Sequence, residues 1–175
     1  MRKIDSDGLR LCAIQGRIFE MSVERYDTSS AIFVRRFMNS ELAREMDSPG
    51  FMDRPFDEEN SFRMLDDEYG KSSYGTVKYN EDIMHWMGYV YRYWAQLYDM
   101  PSKRLYAAVK PAEMRALYPA YHSLDPHAAI QRIMESKGIN TESSYSVEDG
   151  VRILKELREN KSVYRAGSGS LQKRK

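Results

Sequence analysis

The chain has 175 residues, 27 Lys and Arg against 26 Asp and Glu, and a single cysteine. That length suits one domain with its own core, because chains of this size bury about 70% of the surface they expose when unfolded. One cysteine allows no internal disulfide, the first residues lack the apolar stretch of a signal peptide, and no run approaches the roughly 20 apolar residues that cross a bilayer. The expectation is a cytoplasmic protein that does not enter a membrane.

A net charge of +1 argues against gripping nucleic acid by bulk electrostatics, but the charge is unevenly placed. Residues 161–175 carry five basic groups and no acid, which leaves residues 1–160 at −4. The Gly-Ser-Gly-Ser run in that tail has no apolar surface to offset the entropy of ordering, so the sequence predicts an all-α domain over 1–160 and a mobile basic tail over 161–175.

In chain order, residues 8–24 place Leu11, Ile14, Ile18 and Met21 at helical steps. Residues 29–46 do the same with Phe33, Val34, Phe37, Met38, Leu42 and Met46. The turn Tyr26-Asp27-Thr28-Ser29 supplies capping oxygens for the second of these helices, and two adjacent antiparallel helices are expected. Ser48-Pro49-Gly50, Pro55 and the stretch from Tyr69 to Gly75 then break the chain around a short helix near 59–68. Asp53, Asp57, Glu58, Glu59, Asp66, Asp67 and Glu68 put seven acids into sixteen residues, a surface that either stays solvated or meets a basic partner. Thr76-Val77-Lys78-Tyr79 reads as a short extended piece.

Residues 80–100 form the expected central helix. Asp82, His85, Tyr89, Arg92, Gln96 and Asp99 fall on one narrow polar stripe, while Ile83, Met87, Val90, Trp94 and Leu97 make one apolar seam and Met84, Gly88, Tyr91, Ala95 and Tyr98 a second beside it. Gly88 and Ala95 leave room for a neighbouring helix to approach closely. Downstream, Pro101 ends the central helix and Ser102 is a candidate cap for a short one. Pro111 suits the first position of the next helix, which Pro119 is expected to close. Asp125 caps a helix that begins at Pro126 and stops at Gly138, and Ser146-x-x-Asp149 precedes a last helix with Val151, Leu154 and Leu157. The fold class predicted is all-α, one compact domain of about eight helices around residues 80–100.

The sequence offers little recognised chemistry. His85, His122, His127 and Cys12 show no metal-ligand spacing, and no glycine-rich phosphate loop or nucleophile elbow is present, so neither metal nor cofactor is expected. Cys12 lies on an apolar-periodic helix and reads as an inert buried thiol. Tyr118, Tyr121, His122 and Asp125 form the one concentrated acid–base set, with His122 as a base that Asp125 would orient. Helix capping by Asp125 competes with that role. Lys103, Arg104, Lys110 and Arg115 could touch DNA, but the turn Val109-Lys110-Pro111 fits a helix-turn-helix poorly.

Three motifs carry a resemblance: Gly88-Tyr89-x-Tyr91-Arg92-x-Trp94, then Ser102-Lys103-x-x-Tyr106, then Met114-x3-Tyr118-x2-Tyr121-His122-x-Leu124-Asp125-Pro126-x2-Ala129-Ile130. Over residues 85–134 the chain resembles small bacterial proteins encoded beside toxin genes and described as antitoxins. The resemblance implies a protein partner, a toxin-like enzyme, and no catalytic residue. Tyr and Arg are also the side chains most enriched at interaction hot spots. The candidate contact residues are therefore His85, Tyr89, Arg92, Lys103, Tyr106 and His122 in a groove, with Asp57, Glu58, Glu59, Asp66 and Asp67 on the acidic surface. The leading expectation is a protein-interaction module that neutralises a partner enzyme by steric or electrostatic masking. A DNA-binding regulator and a small enzyme using His122 with Asp125 and Tyr121 are the alternatives.

Overall fold

The computed structural model describes residues 3–53 and 57–139. The chain divides into two compact units, Met1–Ile133 and Met134–Lys175. The predicted helix carrying Val151, Leu154 and Leu157 and the basic tail lie outside the described residues. Those described form an all-α protein of eight helices with no strand: α1 (Ser6–Arg25), α2 (Ser30–Asn39), α3 (Glu41–Met46), α4 (Glu58–Tyr69), α5 (Glu81–Tyr98), α6 (Ser102–Ala108), α7 (Pro111–Tyr121) and α8 (Pro126–Lys137). A single 3₁₀ turn at Phe51–Asp53 precedes α4.

The first two helices do pack on each other, through Phe19 against Phe33 and Phe37, but the main partner of α1 is α5. Contacts run in opposite senses along the pair: Gln96 Nε2 donates to Gly8 O, Gln15 Nε2 donates to Gly88 O, and Glu20 meets His85. The two helices are therefore antiparallel. Gly16 and Gly88 face each other at the crossing, and a Cβ on Gly88 would lie 2.7 Å from Gln15 O and 2.8 Å from the Phe19 ring. Two side chains shrunk to hydrogen let the backbones touch, and that close approach makes α1–α5 the spine of the fold.

The expected helix over 29–46 is broken at Ser40. Its hydroxyl donates to Phe37 O and accepts from Ala43 N–H, ending α2 and capping α3 in one residue. A serine oxygen competes with the helical ladder for backbone groups, and the apolar periodicity that runs through Ser40 carries no sign of this. Phe19, Phe33 and Phe37 meet edge to face at 4.9 and 5.4 Å between α1 and α2. Residues 76–79, expected to be a short extended piece, form no strand. Instead Ser30 N–H donates to Val77 O and Tyr79 N–H donates to Ser30 Oγ, so the segment lies along the start of α2. Lys78 reaches back to donate to Val23 O and Tyr26 O at the C-terminal end of α1, where free carbonyls and the helix dipole favour a cation.

Two further boundary expectations change. Pro101, not Ser102, is the cap position of α6, because the Ser102 hydroxyl is taken by Asp47. Pro119 sits inside the last turn of α7, which runs on to Tyr121. Pro111 does open α7, Asp125 Oδ1 does accept from His127 N–H at the start of α8, and Gly138 adopts φ 62° just beyond its end.

Candidate functional site

The polar stripe of α5 has two different fates along its length. At Arg92 it is buried, while beyond it Gln96 is half-buried and Asp99 is exposed. Arg92 is 1% exposed, and its guanidinium donates to Gln15 Oε1 at 2.7 Å, Asp47 Oδ1 at 2.7 Å and Ser102 Oγ at 3.0 Å. Asp47 also accepts from Ser102 N–H and Ser102 Oγ–H. Burial lowers the Arg92 pKa, and the Asp47 carboxylate opposes that shift. Arg92 therefore joins α1, the end of α3 and the start of α6 from within, and each nitrogen of its fork is hydrogen-bonded inside the fold.

Toward the N-terminus the stripe opens. A cleft of about 410 Å³ is lined by Glu20 of α1, Asp82, His85, Trp86 and Tyr89 of α5, and Tyr118 and His122 at the end of α7, with Leu124 and Pro126 at its rim. Helical spacing brings this set together, since Asp82, His85, Trp86 and Tyr89 recur at steps of three and four. His85 Nδ1 lies 2.9 Å from Glu20 Oε2, and an ionised carboxylate only accepts, so Nδ1 carries the hydrogen. The opposite edge of that imidazole rests against Gly16. Trp86 and Tyr118 meet at 5.6 Å with their planes at 79°, forming an aromatic corner. His122 stacks on Tyr118 at 4.7 Å and donates from Nδ1 to Tyr118 O at 2.9 Å. Tyr89 stacks on Tyr93 at 6.2 Å, and burial raises the pKa of both phenols.

Of the sequence candidates, His85, Tyr89 and His122 converge on this cleft, whereas Lys103 and Tyr106 stand on α6 and do not line it. Lys110 covers the Tyr106 ring at 3.9 Å, and Arg115 covers Tyr79 at 4.8 Å, so two of the four basic residues weighed for DNA lie over rings of their own chain. His122 and Asp125 are each hydrogen-bonded elsewhere, to Tyr118 O and to His127 N–H, and Tyr121 lies outside the cleft lining. The acidic surface on α4 is partly committed to the fold. Asp57 Oδ1 accepts from Glu59 N–H, Glu59 pairs bidentately with Arg25 at 2.6 and 2.9 Å, Asp66 helps to raise the pKa of the nearby Tyr26 phenol, and Glu68 accepts from Glu41 N–H. Glu58 is half-buried and Asp67 exposed on the same helix.

Glu20, Trp86 and Tyr118 are cleft residues that the sequence did not single out as contacts. Glu20 sits on a helix 65 positions from His85, and only the α1–α5 crossing joins them. Trp86 had a legible signal, because it lies one turn after Asp82 on the same face.

Two other openings are larger. One, of about 620 Å³, lies between the start of α1, residues 46–53 and the end of α5, with Arg92 and Asp47 in its floor. The other, of about 630 Å³, lies beside Arg25, Asp66 and Lys71. Neither gathers aromatic rings as the smaller cleft does. Among the described residues no cluster of three or more His, Cys, Asp or Glu is arranged to hold a metal ion, and no helix is long and apolar enough to cross a membrane. Cys12 is fully buried, and burial pushes its thiol up to about 12. Comparison with protein-family models, with curated proteins and with solved structures found no match to this chain.

Proposed function

We propose that this protein is an interaction module that masks a partner enzyme, and that the cleft between α1, α5 and the end of α7 is its contact site. The observation that supports this reading is the cleft's composition. Trp86, Tyr89 and Tyr118 are only half-buried and converge on one opening. Aromatic side chains of this kind supply large, rigid contact area and dominate interface energetics. The protein holds them on two helices, α5 and α7, so little ordering is left for the moment of binding. The resemblance of residues 85–134 to proteins described as antitoxins narrows the partner to a toxin-like enzyme, neutralised by occlusion.

The test is reciprocal. The purified chain, mixed with the enzyme whose gene neighbours its own, should form a stoichiometric complex and suppress that enzyme's activity. Tyr89→Ala combined with Tyr118→Ala should lose both effects while keeping the far-UV circular dichroism of the parent. Loss of two central aromatic contacts is worth roughly 2–4 kcal/mol, or 30- to 1000-fold in affinity. A monomer that neither binds nor inhibits that enzyme rules the reading out.

A further inference from the structure

Four aromatic rings outside the cleft carry a cation from their own chain: Arg25 lies over Phe62 at 4.7 Å, Arg36 over Tyr69 at 5.6 Å, Lys110 over Tyr106 at 3.9 Å and Arg115 over Tyr79 at 4.8 Å. The cleft is different. Its lining combines three aromatic side chains, Trp86, Tyr89 and Tyr118, with two carboxylates, Glu20 and Asp82, and contains no lysine or arginine. Glu20 is engaged by His85 Nδ1 at 2.9 Å and more weakly by Arg17 Nη1 at 3.4 Å, and the Arg17 side chain is 58% exposed. Asp82 is exposed at the first turn of α5.

Ring faces attract cations through their quadrupole, and carboxylates attract them by charge. With the rings of Trp86 and Tyr118 set nearly perpendicular, a planar cation can lie flat on one while its edge meets the other. A guanidinium suits this better than an ammonium, because it stacks and donates in its own plane at once. We infer that the cleft accepts an arginine side chain presented by the protein partner, stacked in the Trp86–Tyr118 corner and hydrogen-bonded to Glu20 and Asp82. This inference rests on the reading of the cleft as the contact site and names what enters it.

The experiment uses the full chain and N-acetyl-arginine-N-methylamide as probe, with the citrulline analogue as its neutral isostere and the lysine analogue as a second cation. Binding is read by tryptophan fluorescence. The chain has two tryptophans, of which Trp94 is fully buried, so a change on titration reports on Trp86. The expected result is saturation by the arginine probe at millimolar concentration, with the lysine analogue weaker and the citrulline analogue about tenfold weaker or more. Glu20→Gln and, separately, Asp82→Asn should each weaken the arginine probe by roughly fivefold to tenfold at unchanged thermal midpoint. Asp82 is exposed, so its variant stays folded even if Glu20→Gln disturbs His85. Equal binding of arginine and citrulline probes, no saturable binding, or indifference to both carboxylate variants would overturn the inference. If the probe fails while Tyr89→Ala with Tyr118→Ala still abolishes the enzyme complex, the contact site stands and only its arginine occupant falls.

Discussion

Replacing Asp47 by alanine should strand a positive charge in the core. Arg92 is 1% exposed and its Nη1 is 2.7 Å from Asp47 Oδ1, with Gln15 and Ser102 filling its other donors. Breaking a buried pair from one side costs about 3–5 kcal/mol, because the surviving ion keeps its desolvation penalty and loses its partner. The Asp47 side chain retains 19% exposure, so water can follow the lost carboxylate inward, which places the expected cost at the lower end, about 3 kcal/mol. For a chain of this size that is roughly 6–12 °C in thermal midpoint, followed by far-UV circular dichroism. Adding Arg92→Met removes the stranded charge, and the double variant should recover part of the loss even though Gln15 and Ser102 then lack a donor. A shift below about 2 °C for Asp47→Ala, or a double variant less stable than the single one, would refute the assignment of Arg92 as a charge whose burial depends on Asp47.

Two other outcomes follow from the core. Gly88→Ala places a methyl group against Gln15 O and the Phe19 ring, and backbone cannot yield as a side-chain tip would; overpacking of about 1–3 kcal/mol should outweigh the roughly 1 kcal/mol gained in helix propensity, lowering the urea midpoint. Cys12 ionises near 9.0 when exposed and at about 12 in the folded chain, because burial penalises the thiolate. The folded state therefore holds that proton more tightly, so this contribution is intact below pH 9 and is lost as pH rises toward 12. Tyr26 and Tyr91, both raised by burial from 10.0, add in the same direction at higher pH. Urea midpoints should fall steadily above about pH 9, and a disulfide reagent should label Cys12 only as fast as the chain unfolds; prompt labelling of the native protein would contradict its burial.

Periodicity and capping chemistry are local, which is why most helices were legible before any packing was known. The steps of three and four in residues 8–24 and 80–100, Pro111 at a helix start, Asp125 before Pro126 and Gly138 at a helix end each act within one or two turns of chain. The same locality explains the misses. Ser40 looks like any polar residue on an amphipathic face until its hydroxyl is seen bonding on both sides, and Ser102 looks like a cap until Asp47 claims it from 55 positions away.

The sequence by itself determined that this is an all-α protein with a polar stripe on its central helix, because side-chain spacing fixes what shares a helix face. It also marked His85, Tyr89 and His122. Only the tertiary structure decided what that stripe does. Whether Arg92 meets solvent or core, and whether Glu20 stands beside His85, depends on which helix crosses α5 and how closely. That crossing is set by Gly16 and Gly88, two residues whose lack of a side chain identifies no partner until the helices meet. The burial of Arg92 in mid-stripe and an open aromatic cleft toward the N-terminal end both depend on that contact, and it is the cleft that carries the function proposed for the protein.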